Sequence, residues 1–159
     1  MMGRLEREHE QLFYSFRLDE AVPDDHAVRG LAGVLALSWV HGELAPYYPK
    51  IGRPSVDPVL MIRMLVVGYA FAIRSERMLC REAQVNLAYR WFCGLSIEDK
   101  VPDHSAFSRA RNARFRASDI FRQVFERVVA PFLAAGLSGG VGLRSVAIRC
   151  WARRRTAAR

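Results

Sequence analysis

The chain has 159 residues, 51% of them apolar, which supports one folded domain with a core and excludes a chain that is disordered by composition. Its net charge of +8 is placed unevenly: residues 1–100 hold 12 Lys or Arg against 13 acids, whereas residues 101–159 hold 12 Arg against 3 acids. A polyanionic partner is therefore expected for the last third alone.

Arg outnumbers Lys 22 to 2, as GC-rich coding DNA would produce. That bias explains the choice of Arg over Lys, but not the loss of acids after residue 100. The three cysteines, Cys80, Cys93 and Cys150, show no CxxC spacing and an odd count, so reduced thiols are expected rather than a disulfide framework or a zinc knuckle. The N-terminus lacks an apolar signal region. The most apolar run, Val59 to Ile73, is interrupted by Arg63 and too short to span a membrane. A cytoplasmic, nucleoid-associated protein with no membrane partner is expected.

In chain order, residues 1–22 form a charged then aromatic arm ending in Leu12-Phe-Tyr-Ser-Phe16, whose aromatic end is expected to pack on its own domain. Pro23-Asp-Asp-His26 is a helix-start signal with Asp24 as cap. The spacing predicts a helix over about Asp25 to Val40 that buries Val28, Leu31, Leu35 and Trp39. His26 beside two acids invites a metal reading, but this pattern in a first turn is far more often a cap. Pro46-Tyr-Tyr-Pro49 and Gly52-Arg-Pro54 mark a loop.

Asp57-Pro58 is a second start signal, with Asp as N-cap and Pro at the first helical position. The helix Pro58 to Arg74 is apolar nearly all round and is expected to be the central core helix. Ser75 caps a helix or helix pair that runs to about Phe92 and stops at Gly94. Leu79, Ala83, Leu87 and Trp91 lie four apart on its buried side, and Asn86 is a candidate turn within it. Arg90 and Trp91 could face DNA as a pair, but Trp91 at helical spacing is more often core and Arg90 a surface or ion-pairing residue. Cys80 and Cys93 fit as core thiols.

The next stretch, Val101 to Arg116, carries the sharpest functional signal. A proline stop and a capping Asp103 or Ser105 open a helix from about Asp103 to Arg111, with Phe107 as its buried anchor. Arg109, Arg111, Arg114 and Arg116 follow with no acid among them. A short capped helix with a basic, polar face is what a nucleic-acid reader presents to phosphates and base edges. His104, Ser105, Ser108, Arg109, Arg111, Arg114 and Arg116 are the candidate DNA-binding residues. Arg114 and Arg116 would sit at or beyond the helix end and hold the backbone. The first turn could grip a phosphate through a backbone N–H, with plain capping an equally good account of His104 and Ser105. Ser118-Asp119 starts a last helix, with Pro131 as a kink and Gly136 as its end. Residues 141–159 carry six arginines, no acid and no sustained period, and are expected to be a basic, frameshifted or disordered tail.

Five segments stand together in order: Gly52-Arg-Pro-Ser-Val-Asp-Pro58, Arg63-Met-Leu-Val-Val-Gly-Tyr69, Arg74-Ser-Glu-Arg77, Asn86-Leu-Ala-Tyr-Arg-Trp-Phe-Cys-Gly-Leu95 and Val101-Pro-Asp-His-Ser-Ala-Phe-Ser108. With Val22-Pro-Asp-Asp-His26, they resemble the InsH-type N-terminal domain of bacterial insertion-sequence transposases over about residues 10 to 140. The resemblance implies an all-α, multi-helix domain over residues 23–140, with a helix-turn-helix-like arrangement that binds double-stranded DNA at terminal inverted repeats. Full-length transposase or a second copy of the chain would be its protein partner. In the family this domain precedes a catalytic domain whose carboxylates hold two Mg²⁺ ions. Here Glu126 is the last acid, and residues 127–159 offer no carboxylate. No enzymatic activity and no cofactor are therefore expected of this chain, since a two-metal site needs several oxygen anions. The alternatives are an inhibitory interaction partner, a product completed by frameshifting, and a non-functional pseudogene fragment.

Overall fold

A computed structural model describes residues 16–48, 55–115 and 120–135, and among them every regular element is a helix. In order these are α1 (Leu18–Ala21), α2 (Ala27–Val34), α3 (Val40–Leu44), a 3₁₀ turn (Ala45–Tyr47), α4 (Pro58–Ala70), α5 (Glu76–Val85), α6 (Leu87–Cys93), α7 (His104–Phe115) and α8 (Ile120–Ala134).

The fold is built on α4, as its all-round apolar sequence requires. Asp57 accepts from the N–H groups of Val59 at 2.6 Å and Leu60 at 3.3 Å, and Pro58 occupies the first helical position, where no N–H is missed. Met61, Met64 and Val67 are fully buried, and α4 packs against α3, α5 and α6. Gly68 lets α5 approach: a Cβ there would lie 3.3 Å from a methyl carbon of Leu79. The helix ends at Ala70, four residues before Arg74. Its end is a Schellman motif, with Ile73 N–H bonding to the Gly68 carbonyl at 2.8 Å and Ala72 N–H to the Tyr69 carbonyl at 3.4 Å. Ala72 takes the left-handed position, at φ 55°.

Asn86 divides the following stretch into two helices. Its N–H closes α5 on the Glu82 carbonyl at 2.9 Å, while its side-chain oxygen caps α6 by accepting from Ala88 at 2.9 Å and Tyr89 at 3.2 Å. The break resets the buried face. Leu79 and Ala83 are buried as their spacing implies, but Leu87 is exposed, and Ala88, Arg90, Phe92 and Cys93 turn inward. Gly94, at φ 71°, ends α6 where the sequence places a stop.

The single helix expected over Asp25 to Val40 is two. Here α2 stops at Val34, and Leu35 is extended at φ −87° and ψ 98°. Gly30 and Gly33 weaken α2, and the break lets Leu37 and Val40 enter the core in place of Leu35 and Trp39, which stay partly buried. His26, rather than Asp24, caps α2: its Nδ1 accepts from Val28 N–H at 3.2 Å. Asp24 instead stands 3.5 Å from Arg29 Nε. The Trp39 ring lies under the Arg127 guanidinium at 4.0 Å, and Arg127 pairs with Glu43, which ties α8 to α3. Val124, Val128 and Phe132 form the buried stripe of α8, which continues through Pro131.

Candidate nucleic-acid interface

The N-terminus of α7 is closed by its own carboxylate. Asp103 accepts from Ser105 N–H at 3.0 Å and from the Ser105 hydroxyl, and His104 Nδ1 stands 3.1 Å from the other carboxylate oxygen. The two Ser105 hydrogen bonds stabilise the anion and hold the Asp103 carboxyl down at about 2. Capping thus occupies the first-turn N–H that a phosphate would otherwise meet.

Past the cap, α7 has two distinct faces. Phe107 is fully buried and Ala110 nearly so. Ser105 and Arg109 are exposed, and Ser108 is half-buried beside them. Arg111 belongs to the inward side: its Nη1 lies 2.7 Å from Glu76 Oε1, with the two side chains only 20% and 23% exposed. The basic residues expected on one surface are therefore parted, Arg109 facing solvent and Arg111 facing an acid of α5. Arg114 lies within α7, which runs on to Phe115, but its side chain falls outside the described residues, as does the whole of Arg116.

The first turn of α5 meets the middle of α7 through the Glu76–Arg111 pair. Further along α5, Arg77, Cys80, Arg81 and Gln84 face Pro102, Asp103 and His104 across a shallow groove of about 380 Å³. The two helices therefore run in opposing senses, and the groove opens beside the cap of α7. Arg77 and Arg81 are exposed and make no ion pair among the described residues. Sequence reading missed both. Their signal is the four-residue spacing after the Ser75 cap, with Leu79 and Ala83 marking the opposite, buried side of α5.

The connection into α7 is held by Arg90, 5% exposed and the one charged residue buried among those described. Its guanidinium donates to the carbonyls of Ser96, of Asp99 at 2.7 Å, of Ile97 at 3.0 Å and of Gln84 at 3.4 Å. The sequence suggested a surface or ion-pairing role. Here a planar fork of five donors serves four main-chain oxygens at once. Trp91 is partly buried: its Nε1 donates to Asp19 at 3.0 Å, and the Arg29 guanidinium lies 4.8 Å over its ring. Burial pushes the Cys80 and Cys93 thiols up, to about 11 and about 12, so both are unreactive fillers of the core.

Among the described residues no three His, Cys, Asp or Glu side chains stand together as a metal cluster. The acids of the α5–α7 seam are committed to Arg111 and to the cap. No helix among the described residues is long and apolar enough to cross a membrane.

Residues 16–113 match the family model described as Transposase domain (DUF772). No curated protein and no solved structure matches the chain. Because the match covers more than half of the 159 residues and takes in the core contributed by α2 to α7, the Arg90 clamp and most of α7, the chain belongs to this transposase domain family.

Proposed function

We propose that this chain is the DNA-binding, InsH-type N-terminal portion of an insertion-sequence transposase and recognises the terminal inverted repeats of its element. The observation that carries this reading is the division of α7. Its inner face is fixed by Phe107, Ala110 and the Arg111–Glu76 pair, and its outer face presents Ser105, Ser108 and Arg109. In this reading α5, α6 and α7 act as a helix-turn-helix-like unit, with α5 packed on both other helices and α7 lying in the major groove. Arg109 is suited to a guanine edge, and serines suit either a phosphate or a base. Arg111 acts indirectly, by fixing the pitch of α7 on α5. Strand cutting and joining, with their Mg²⁺, are assigned to a separate catalytic domain and to none of the described residues.

The test is binding of the full chain to duplex carrying the element's inverted repeat, compared with unrelated duplex. Arg109→Ala should weaken the specific complex by about 1–3 kcal/mol and leave the fold intact. Equal binding by the variant and the parent chain would move the reading element away from α7.

A second reading is an interaction partner of full-length transposase. Met78, Val85 and Leu87, 50%, 76% and 40% exposed on α5 and α6, favour it. A molar mass of two chains in solution, lost on Val85→Glu, would support it; a monomer at all concentrations would oppose it.

A further inference from the structure

The acids along the α5–α7 seam are engaged, whereas Arg77 and Arg81 beside it have no ion partner among the described residues. Glu76 is held by Arg111, and Asp103 is held by Ser105 and His104. Arg77 and Arg81 project beside that seam with no ion partner among the described residues. They sit four residues apart on a regular helix, so their Cβ atoms are about 5–6 Å apart on one face. They also line one wall of the groove whose other wall carries His104 and the cap of α7.

We infer that Arg77 and Arg81 form a clamp for the phosphodiester backbone of duplex DNA, gripping the strand that borders the groove entered by α7. This inference rests on the DNA-binding reading above and adds the place where the backbone runs. A DNA strand carries one charge per about 3.4 Å of axis, so two guanidinium groups one turn apart reach two nearby phosphates of one strand. Asp103 is the one carboxylate on the groove. Its charge faces the Ser105 donors and His104, which leaves the α5 wall as the cationic side and defines which wall the phosphates take. The division of labour is physical: a guanidinium on a phosphate sets register and affinity without reading sequence, whereas Arg109 on α7 reads bases.

The experiment uses the full chain, inverted-repeat duplex and a random duplex of equal length, with affinity measured across a salt series. Each neutralised phosphate contributes about 0.9 to the slope of log affinity against log salt. The double variant Arg77→Gln/Arg81→Gln should flatten that slope by about 1.8 on both duplexes and keep the ratio between them. The variant Arg77→Lys/Arg81→Lys should restore most of the slope, because it keeps the charge. Thermal melting of both variants should match the parent chain, since both side chains are exposed and neither is paired among the described residues. An unchanged slope in the Gln variant, with the parent chain binding DNA, overturns the clamp alone. Failure of the Lys variant to restore the slope also overturns it. Absence of binding by the parent chain to either duplex overturns the DNA-binding reading, and the clamp with it.

Discussion

The Arg111 guanidinium and the Glu76 carboxylate meet 2.7 Å apart across the seam between α5 and α7, and this contact decides which arginines of α7 face solvent. The pair is close but under-satisfied, because Arg111 Nε is buried without a partner and Glu76 Oε1 accepts no aligned hydrogen bond. An ion pair in that condition orients two helices more than it stabilises them.

Breaking the pair on one side leaves the other charge half-buried and alone. Arg111→Met and Glu76→Leu should each destabilise the fold by about 1–3 kcal/mol, whereas the double variant should return close to the parent stability or exceed it. Chemical denaturation of the four chains measures the cycle. Neutral single variants would mean that the contact does not hold α7 in place.

Replacing Arg90 removes five donors from a loop that has little else to bind its carbonyls. Arg90→Ala should cost about 2–4 kcal/mol. Arg90→Lys should recover little, because one compact ammonium cannot serve the Gln84, Ser96, Ile97 and Asp99 oxygens together. Melting temperature, with amide exchange over residues 95–103 as a local readout, checks both. Full recovery by Lys would show that charge alone matters at this site.

Ala72 occupies the left-handed position that closes α4, where a side chain is strained. Ala72→Gly should raise stability by about 0.5–1 kcal/mol, the relief of strain being partly offset by a more flexible unfolded chain. A drop in melting temperature would contradict the Schellman geometry described for this turn.

The Asp103 cap has a defined pH window. Its carboxyl is held at about 2 in the fold, below its ordinary value of 3.8, so the folded state favours the ionised form. The stabilisation is present above the ordinary value and is lost as pH falls from there through about 2. A carbon-detected NMR titration should place Asp103 near 2, and Ser105→Ala should move it back up. An Asp103 midpoint at the ordinary value in the parent chain would mean that the cap is not formed.

Several helix starts were legible because capping depends on neighbours in the chain: Asp57 before Pro58, Ser75 and Asp103 cap helices, and Gly94 stops one. Others were legible only in part: Asn86, read as a candidate turn, proves to be a cap, and His26 caps α2 in place of Asp24. Tertiary choices were not legible. Nothing local announces that Leu37 rather than Leu35 enters the core, or that Arg90 turns inward to carbonyls six to nine residues away. The site divides in the same way. Phe107 as the anchor of α7 follows from its position among polar neighbours. The loss of Arg111 to Glu76, and the emergence of Arg77 and Arg81 as cations lining the groove beside the cap, depend on how α5 crosses α7. That crossing is set by packing on α4, through contacts such as Leu79 against Gly68.

The most direct test of the account is proximity of α7 to DNA. A photo-reactive side chain placed at Ser105, exposed on α7, should cross-link to inverted-repeat duplex, whereas the same group at Ser38, in the exposed connection between α2 and α3, should not. Cross-links from position 38 with none from position 105 would contradict the account.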